Sequence, residues 1–415
     1  MKKNTLLYEL FLIIYLIWLY FYPLINLTIN NNYLASYIGR ILIIILFLLL
    51  MFEKNFLFKI LKDKSTYIFL FLVIFSSILS TYFNRIDNLN YLIAYLYNFI
   101  SCWLIYQLFK YFLLKKSSSK IIIISLAALA LLNALVALYF GLSGQKLFSV
   151  TEKEVGYVAF GYDMSTGRIG GIRGENYTGI WNAPLMIYGI LLAKNKKLLK
   201  KFLGYLFIIM SLLSAMASLS RASFLCIIFI IFSGIYIFYF KNKTNLLSPI
   251  LLLIVFVFTI KIALSFQYKI IEYAPENIRP EIYKRIIISS WLENDRLSIW
   301  RYYFNSFIER PFFGKGPGYI NEEYKHGFLV PHNSLLDIAV ETGIFGLCIY
   351  IYFFLRAIRA YLRRFAIVED YANIFFILLM TILLGLQFLS NPFFKLLWIA
   401  LAGLEAAIGY PSSGL

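Results

Sequence analysis

Histidine, cysteine and charge are all scarce in this chain, and each shortage removes a class of explanation. The three cysteines, Cys102, Cys226 and Cys348, sit inside apolar runs without metal-ligand spacing. That pattern implies neither a disulfide framework nor a zinc site, and no cofactor is expected. Charged residues make up only 14% of the 415, while 61% are hydrophobic and 19% aromatic. No soluble fold of this size needs so much apolar surface, which makes lipid the expected solvent for most of the chain. After Met1-Lys2-Lys3 the sequence runs apolar from Leu6 with no small-residue cleavage site, so a retained first helix is expected.

Acidic residues are also outnumbered: 39 Lys and Arg stand against 21 Asp and Glu, a net +18. In a soluble protein that excess would suggest nucleic acid. Here it falls mostly in short breaks between apolar runs, as in the cytoplasmic loops of membrane proteins, and no nucleic-acid partner is expected.

A helix needs roughly 20 apolar residues to cross the hydrocarbon core. That length predicts about twelve spans, near 7–28, 34–52, 66–83, 89–114, 120–142, 177–193, 201–219, 222–240, 246–264, 333–355, 372–390 and 393–410. The expected fold is thus an all-α polytopic membrane protein. Alternate breaks differ in basic content. Lys54, Lys59, Lys62 and Lys64, then Lys115, Lys116 and Lys120, then Lys194, Lys196, Lys197, Lys200 and Lys201 fall on one side, followed by Lys241 and Lys243 and by Arg356, Arg359, Arg363 and Arg364. The intervening short breaks hold Arg85 and Arg221 and little else. The positive-inside rule then predicts both termini on the cytoplasmic side of a bacterial inner membrane.

Two outward loops exceed simple connections, near 143–176 and 265–332. They divide the chain into 1–264 with nine spans, the large periplasmic loop 265–332, and 333–410 with three spans. Loops of that length usually carry function. In the larger one Leu297, Trp300, Phe304, Phe307 and Ile308 recur at helical spacing until Pro311, which predicts an amphipathic helix at the outer membrane surface. Amphipathicity alone names no ligand, and the bland alternative is that the helix merely lids the bundle.

The only two histidines, His326 and His332, both fall in this loop. Pro331-His332-Asn333-Ser334 reads as a helix start, with Asn333 or Ser334 as cap and Asp337 in the first turn. At such a helix mouth the dipole disfavours imidazolium, leaving His332 available as a base or merely as a partner of the cap. Arg221, alone in Ser218-Leu219-Ser220-Arg221-Ala222-Ser223, is either a functional cation or a snorkelling anchor. Arg296 opens the amphipathic helix and has Glu293 and Asp295 as local alternatives to a ligand. Glu341 lies about two turns inside its span, so a buried partner such as Arg221 is expected. Gly314, Gly316 and Gly318 suit either a phosphate-cradling turn or an ordinary one.

As a set, Ser220-Arg221-Ala222, Asp295-Arg296-Leu297 to Trp300, Pro311 through Gly318, Pro331-His332-Asn333 and Glu341-Thr342-Gly343-Ile344-Phe345-Gly346 resemble the O-antigen ligase and O-antigen polymerase superfamily. The resemblance covers roughly residues 218–346. It implies a GT-C-like fold, an undecaprenyl-pyrophosphate-linked glycan as donor, no metal ion, and a glycan or lipid A core acceptor, with membrane lipid and a chain-length regulator as further partners. Carried over, it makes Arg221 and Arg296 the pyrophosphate ligands and His332 the base that activates the acceptor hydroxyl. Arg173, in Gly171-Ile172-Arg173-Gly174-Glu175-Asn176, is a third phosphate candidate, and Gly314, Gly316, Asn333 and Glu341 are substrate-binding candidates. The first outward loop, Leu27 to Tyr33, holds no carboxylate, so guanidinium groups are expected to supply the positive charge. Repeat-unit polymerase is the first expectation and ligation to core the second. A lipid-linked oligosaccharide flippase would carry charges along a central cavity and show related halves, whereas the sequence has only Lys261, Glu341 and Lys395 within its spans and no evident repeat.

Overall fold

The computed structural model describes residues 2–29, 34–51, 64–84, 89–114, 116–143, 161–163, 168–170, 177–218, 220–240, 295–389 and 391–409. The span expected at 246–264, Arg173, and the first part of the large loop lie outside the described residues. The helices are α1 (Lys2–Ile29), α2 (Leu34–Met51), α3 (Lys64–Asn84), α4 (Leu89–Leu113), α5 (Lys116–Ser143), α6 (Thr178–Ala193), α7 (Leu198–Ala217), α8 (Arg221–Ile235), α9 (Asp295–Glu309), α10 (Tyr319–Lys325), α11 (Ser334–Arg363), α12 (Asp370–Gly385) and α13 (Lys395–Ile408). Helix α8 continues into a π-helical turn, Tyr236–Phe240. Within the stretch near 143–176, two short strands, β1 (Gly161–Asp163) and β2 (Arg168–Gly170), form an antiparallel pair with Tyr162 opposite Ile169. Hydropathy and spacing predict no strand there.

Among the described residues, six helices are long and apolar enough to cross a membrane: Leu89–Leu113, Lys116–Tyr139, Leu198–Ala215, Ala222–Tyr239, Ser334–Arg363 and Asp370–Phe388. Shorter apolar helices lie at Tyr8–Phe21, Tyr67–Phe83 and Thr178–Ala193. The helical form follows from the solvent, since hydrocarbon offers backbone groups no partner and a helix satisfies them within one segment. The protein is therefore helical and polytopic.

The chain divides into two compact units. The first takes 1–39, 117–293 and 380–385. Its centre is α6, buried over most of its length against α7 and α8. Apolar burial drives little between helices in lipid, so polar side chains join them. Asn182, fully buried, accepts a hydrogen bond from Asn133 Nδ2 of α5 (2.8 Å) and donates to Ser214 Oγ of α7 (2.6 Å). Bonds of this kind are worth roughly 0.5–2 kcal/mol each.

The second unit takes 40–116, 294–379 and 386–415. Here α4 packs on α13 and α3 on α11. Their shared core is aromatic: Phe69 stacks on Phe353 with centroids 3.9 Å apart, and Trp398 meets the edge of Phe99 at 5.6 Å. Near one end of these helices, Glu405 binds Lys110 Nζ (2.7 Å) and Arg356 Nη2 (2.6 Å) and accepts from the Tyr106 hydroxyl. Ionised groups persist among apolar helices only when paired in this way.

Candidate functional site

The second unit holds His332 on a backbone that nothing in its own chemistry favours. Its φ is +51°, the only positive φ at a non-glycine position among the described residues. A left-handed residue other than glycine costs on the order of 1–3 kcal/mol and persists only when its surroundings over-determine it. They do so on both sides. The Trp300 indole of α9 donates to the Pro331 carbonyl (2.7 Å). Asn333 caps α11, its side-chain oxygen accepting from the amides of Leu335 (3.1 Å) and Leu336 (3.0 Å). Ser334 Oγ donates to the Leu389 carbonyl (2.7 Å) and accepts from the Asn391 amide (3.0 Å). Proline, cap and serine clamp fix the neighbours, and His332 takes the conformation left to it.

The half-buried ring has its pKa pushed down to about 4, first by burial and then by the charge of Arg296. The imidazole is thus neutral at pH 7, with Arg296 close enough to oppose its protonation. Both belong to the same unit, as do Gly314, Gly316, Asn333 and Glu341. His326 sits apart from this chemistry in local structure, exposed at the C-cap of α10.

The segment from Pro311 to Gly318 owes its shape to a break in α11. Gly343 adopts φ +70° and ψ −169° in the middle of that helix, releasing carbonyls that a continuous helix would have used. The loop takes them: the Lys315 amide donates to Val340 O (2.6 Å), the Gly316 amide to Glu341 O (3.0 Å), and Pro311 O accepts from Ile344 N (2.7 Å). Ser80 Oγ of α3 also donates to Glu341 O (2.8 Å). A Cβ on Gly314 would lie 2.5 Å from Val340 O, so this contact requires glycine. The amides of Gly314 and Gly316 donate to Arg310 O and Glu341 O, so both are already engaged within the protein. Glu341 likewise finds a backbone partner, its Oε1 accepting from the Gly318 amide (2.9 Å). A loop packed into a helix break is tolerated where its backbone polar groups are satisfied in this fashion.

Helix α9 forms over the predicted stretch but divides its apolar residues between two faces. Tyr303 is fully buried, with Ile299, Tyr302 and Phe307 packed alongside Ile320 and Val340. Leu297, Phe304 and Ile308 point outward at about half exposure or more. Tyr302 donates to Glu323 of α10 (2.5 Å), and burial together with this bond pushes its hydroxyl pKa up. Sequence reasoning missed Tyr302, Tyr303 and the Trp300 bond. Their only signal was aromatic density on a short helix, which does not separate an inner from an outer face.

Arg221 is the first residue of α8 and belongs to the first unit. Ser220 caps that helix by accepting from the Ser223 amide (3.4 Å), and Ser218 Oγ donates to Ala215 O (2.7 Å), so serines shape the turn preceding the arginine. Among the described residues, no group of three or more His, Cys, Asp or Glu is placed to hold a metal ion.

These features define a polytopic helical membrane protein with a neutral, conformationally constrained histidine beside an arginine. Residues 206–351 match the model of the O-antigen ligase family, which supports the resemblance to the O-antigen ligase and polymerase superfamily. That interval contains the whole 218–346 region on which the resemblance rests. No curated protein matches the chain.

Proposed function

We propose that the protein transfers a glycan from undecaprenyl pyrophosphate to a sugar hydroxyl at the periplasmic face of the inner membrane. The carrying observation is His332, held neutral on a left-handed backbone next to Arg296. In the reaction the acceptor oxygen attacks the anomeric carbon, the bond from that carbon to the pyrophosphate oxygen breaks, and His332 takes the hydroxyl proton. The configuration inverts and polyprenyl pyrophosphate leaves. Negative charge grows on the departing diphosphate, and planar guanidinium forks match its oxygens better than a mobile ammonium. Arg221 and Arg296 take that role, with Arg173 as a third contact. Gly314 and Gly316 shape the loop, Asn333 fixes the start of α11, and Glu341 anchors Gly318, so these four act on substrate through the surface they position. Supplying the charge through arginine makes the reaction independent of divalent ions.

The arrangement presumes about twelve spans, cytoplasmic termini, and α9 lying in the outer interface with Leu297, Phe304 and Ile308 towards lipid. The first reading is polymerisation of repeat units. The second, favoured by the description of the matching family, is transfer to lipid A core. Purified protein incubated with its lipid-linked repeat unit in the presence of a chelator decides between them. A ladder formed without core supports polymerase, and a single shift dependent on core supports ligase. Absence of any product until a divalent ion is added would overturn the metal-free mechanism.

A further inference from the structure

Away from His332, the second unit carries a groove of about 270 Å³ between α3 and α11. Its walls are Ile68, Phe69 and Leu72 from one helix and Ile349, Tyr352 and Phe353 from the other, and Arg356 lines it at the end nearest the α11 C-terminus. The apolar lining remains open: Ile68 is 58% and Tyr352 69% exposed. At 100° per residue, positions 348, 352, 356, 359 and 363 fall within about 80° of the α11 circumference, one face. That face begins with Cys348 and Tyr352 and finishes with Arg356, Arg359 and Arg363, the last two exposed. An apolar channel leading to exposed cations has the polarity of a membrane lipid, tail first and phosphate last. Arg356 is committed to Glu405 and packs its guanidinium 5.1 Å from the Phe353 ring centroid, so it closes the channel, while Arg359 and Arg363 extend beyond it.

We propose that this groove binds one anionic phospholipid, an acyl chain lying between α3 and α11 and the headgroup phosphate meeting Arg359 and Arg363. The basic end belongs to the side that the positive-inside rule assigns to the cytoplasm, so the lipid comes from the inner leaflet. Binding there is separate from glycosyl transfer and stands or falls without it.

The test is native mass spectrometry of the full chain in detergent, titrated with phosphatidylglycerol, phosphatidylcholine or a polyprenyl monophosphate. Each basic residue facing an anionic lipid surface is worth about 1 kcal/mol, so the double variant Arg359→Gln/Arg363→Gln is expected to weaken phosphatidylglycerol retention about 30-fold. Retention of phosphatidylcholine should change little. Leu72→Trp, which fills the channel and leaves the cations alone, should weaken both lipids. Equal retention of the two phospholipids by the unaltered protein would overturn the proposal, as would undiminished phosphatidylglycerol binding in the double variant. Preferential retention of the polyprenyl monophosphate would overturn the choice of occupant.

Discussion

Replacing His332 by Ala is expected to lower glycan product formation by about 10²–10⁴-fold, the usual worth of a positioned general base, while donor lipid still binds. In the proposed mechanism guanidinium groups hold the donor and the imidazole acts only on the acceptor, so the two losses separate. Alanine inherits the strained backbone at φ +51°. His332→Asn therefore serves beside it, because asparagine tolerates the left-handed region better than most residues and lacks a basic nitrogen. Both variants should remain folded and inactive when product is read on a gel and stability by thermal unfolding in detergent. Normal long-chain product from either removes His332 from the chemistry.

Gly343→Ala is expected to have the largest structural effect of any single methyl group in the second unit. At φ +70° and ψ −169° the residue occupies a region essentially confined to glycine, and an added Cβ would lie 2.2 Å from the Phe312 carbonyl oxygen. Strain and backbone collision act together, so a loss of about 3 kcal/mol or more is expected, against roughly 1–2 kcal/mol for a left-handed residue alone. Gly327→Ala supplies that second case, since Gly327 has φ +90° and a methyl group added there would meet nothing within 4 Å. A thermal midpoint that falls far more in Gly343→Ala than in Gly327→Ala supports the account of the break. Equal small shifts would show that α11 straightens without consequence. Activity should fall with stability in Gly343→Ala, because the loop from Pro311 to Gly318 is held by carbonyls that the break exposes.

Helix α9 is legible in the sequence because its signals are local: aromatic residues at helical spacing and Pro311 as a stop. The start of α11 is legible for the same reason, Asn333 being a strong cap. The break inside α11 is not. Residues 333–355 read as one span, and glycines such as Gly343 and Gly346 are ordinary in membrane helices. What makes Gly343 special is the loop from Pro311 to Gly318 arriving against it, a contact that periodicity does not carry. The same limit applies to His332. Its position at a helix mouth suggests the dipole as the cause of its neutrality, whereas burial leads and Arg296 follows. For Glu341 the sequence points to a distant arginine, and the structure gives it the Gly318 amide.

The lowered pKa of His332 also fixes how pH enters. Folding depresses it from 6.5 to about 4, so between those values the unfolded chain takes up a proton that the folded protein refuses. The site's contribution to stability is therefore fully unfavourable only below about pH 4, declines as pH rises, and vanishes above about 6.5. Catalysis follows the folded value alone. The decisive measurement is kcat/KM for glycan transfer as a function of pH, which reports the free enzyme's essential groups. A rate that stays level from neutrality down to about pH 5 and falls with a midpoint near pH 4 is the predicted result. An acid limb centred at pH 6 to 7, roughly the range of an unperturbed histidine, would contradict it.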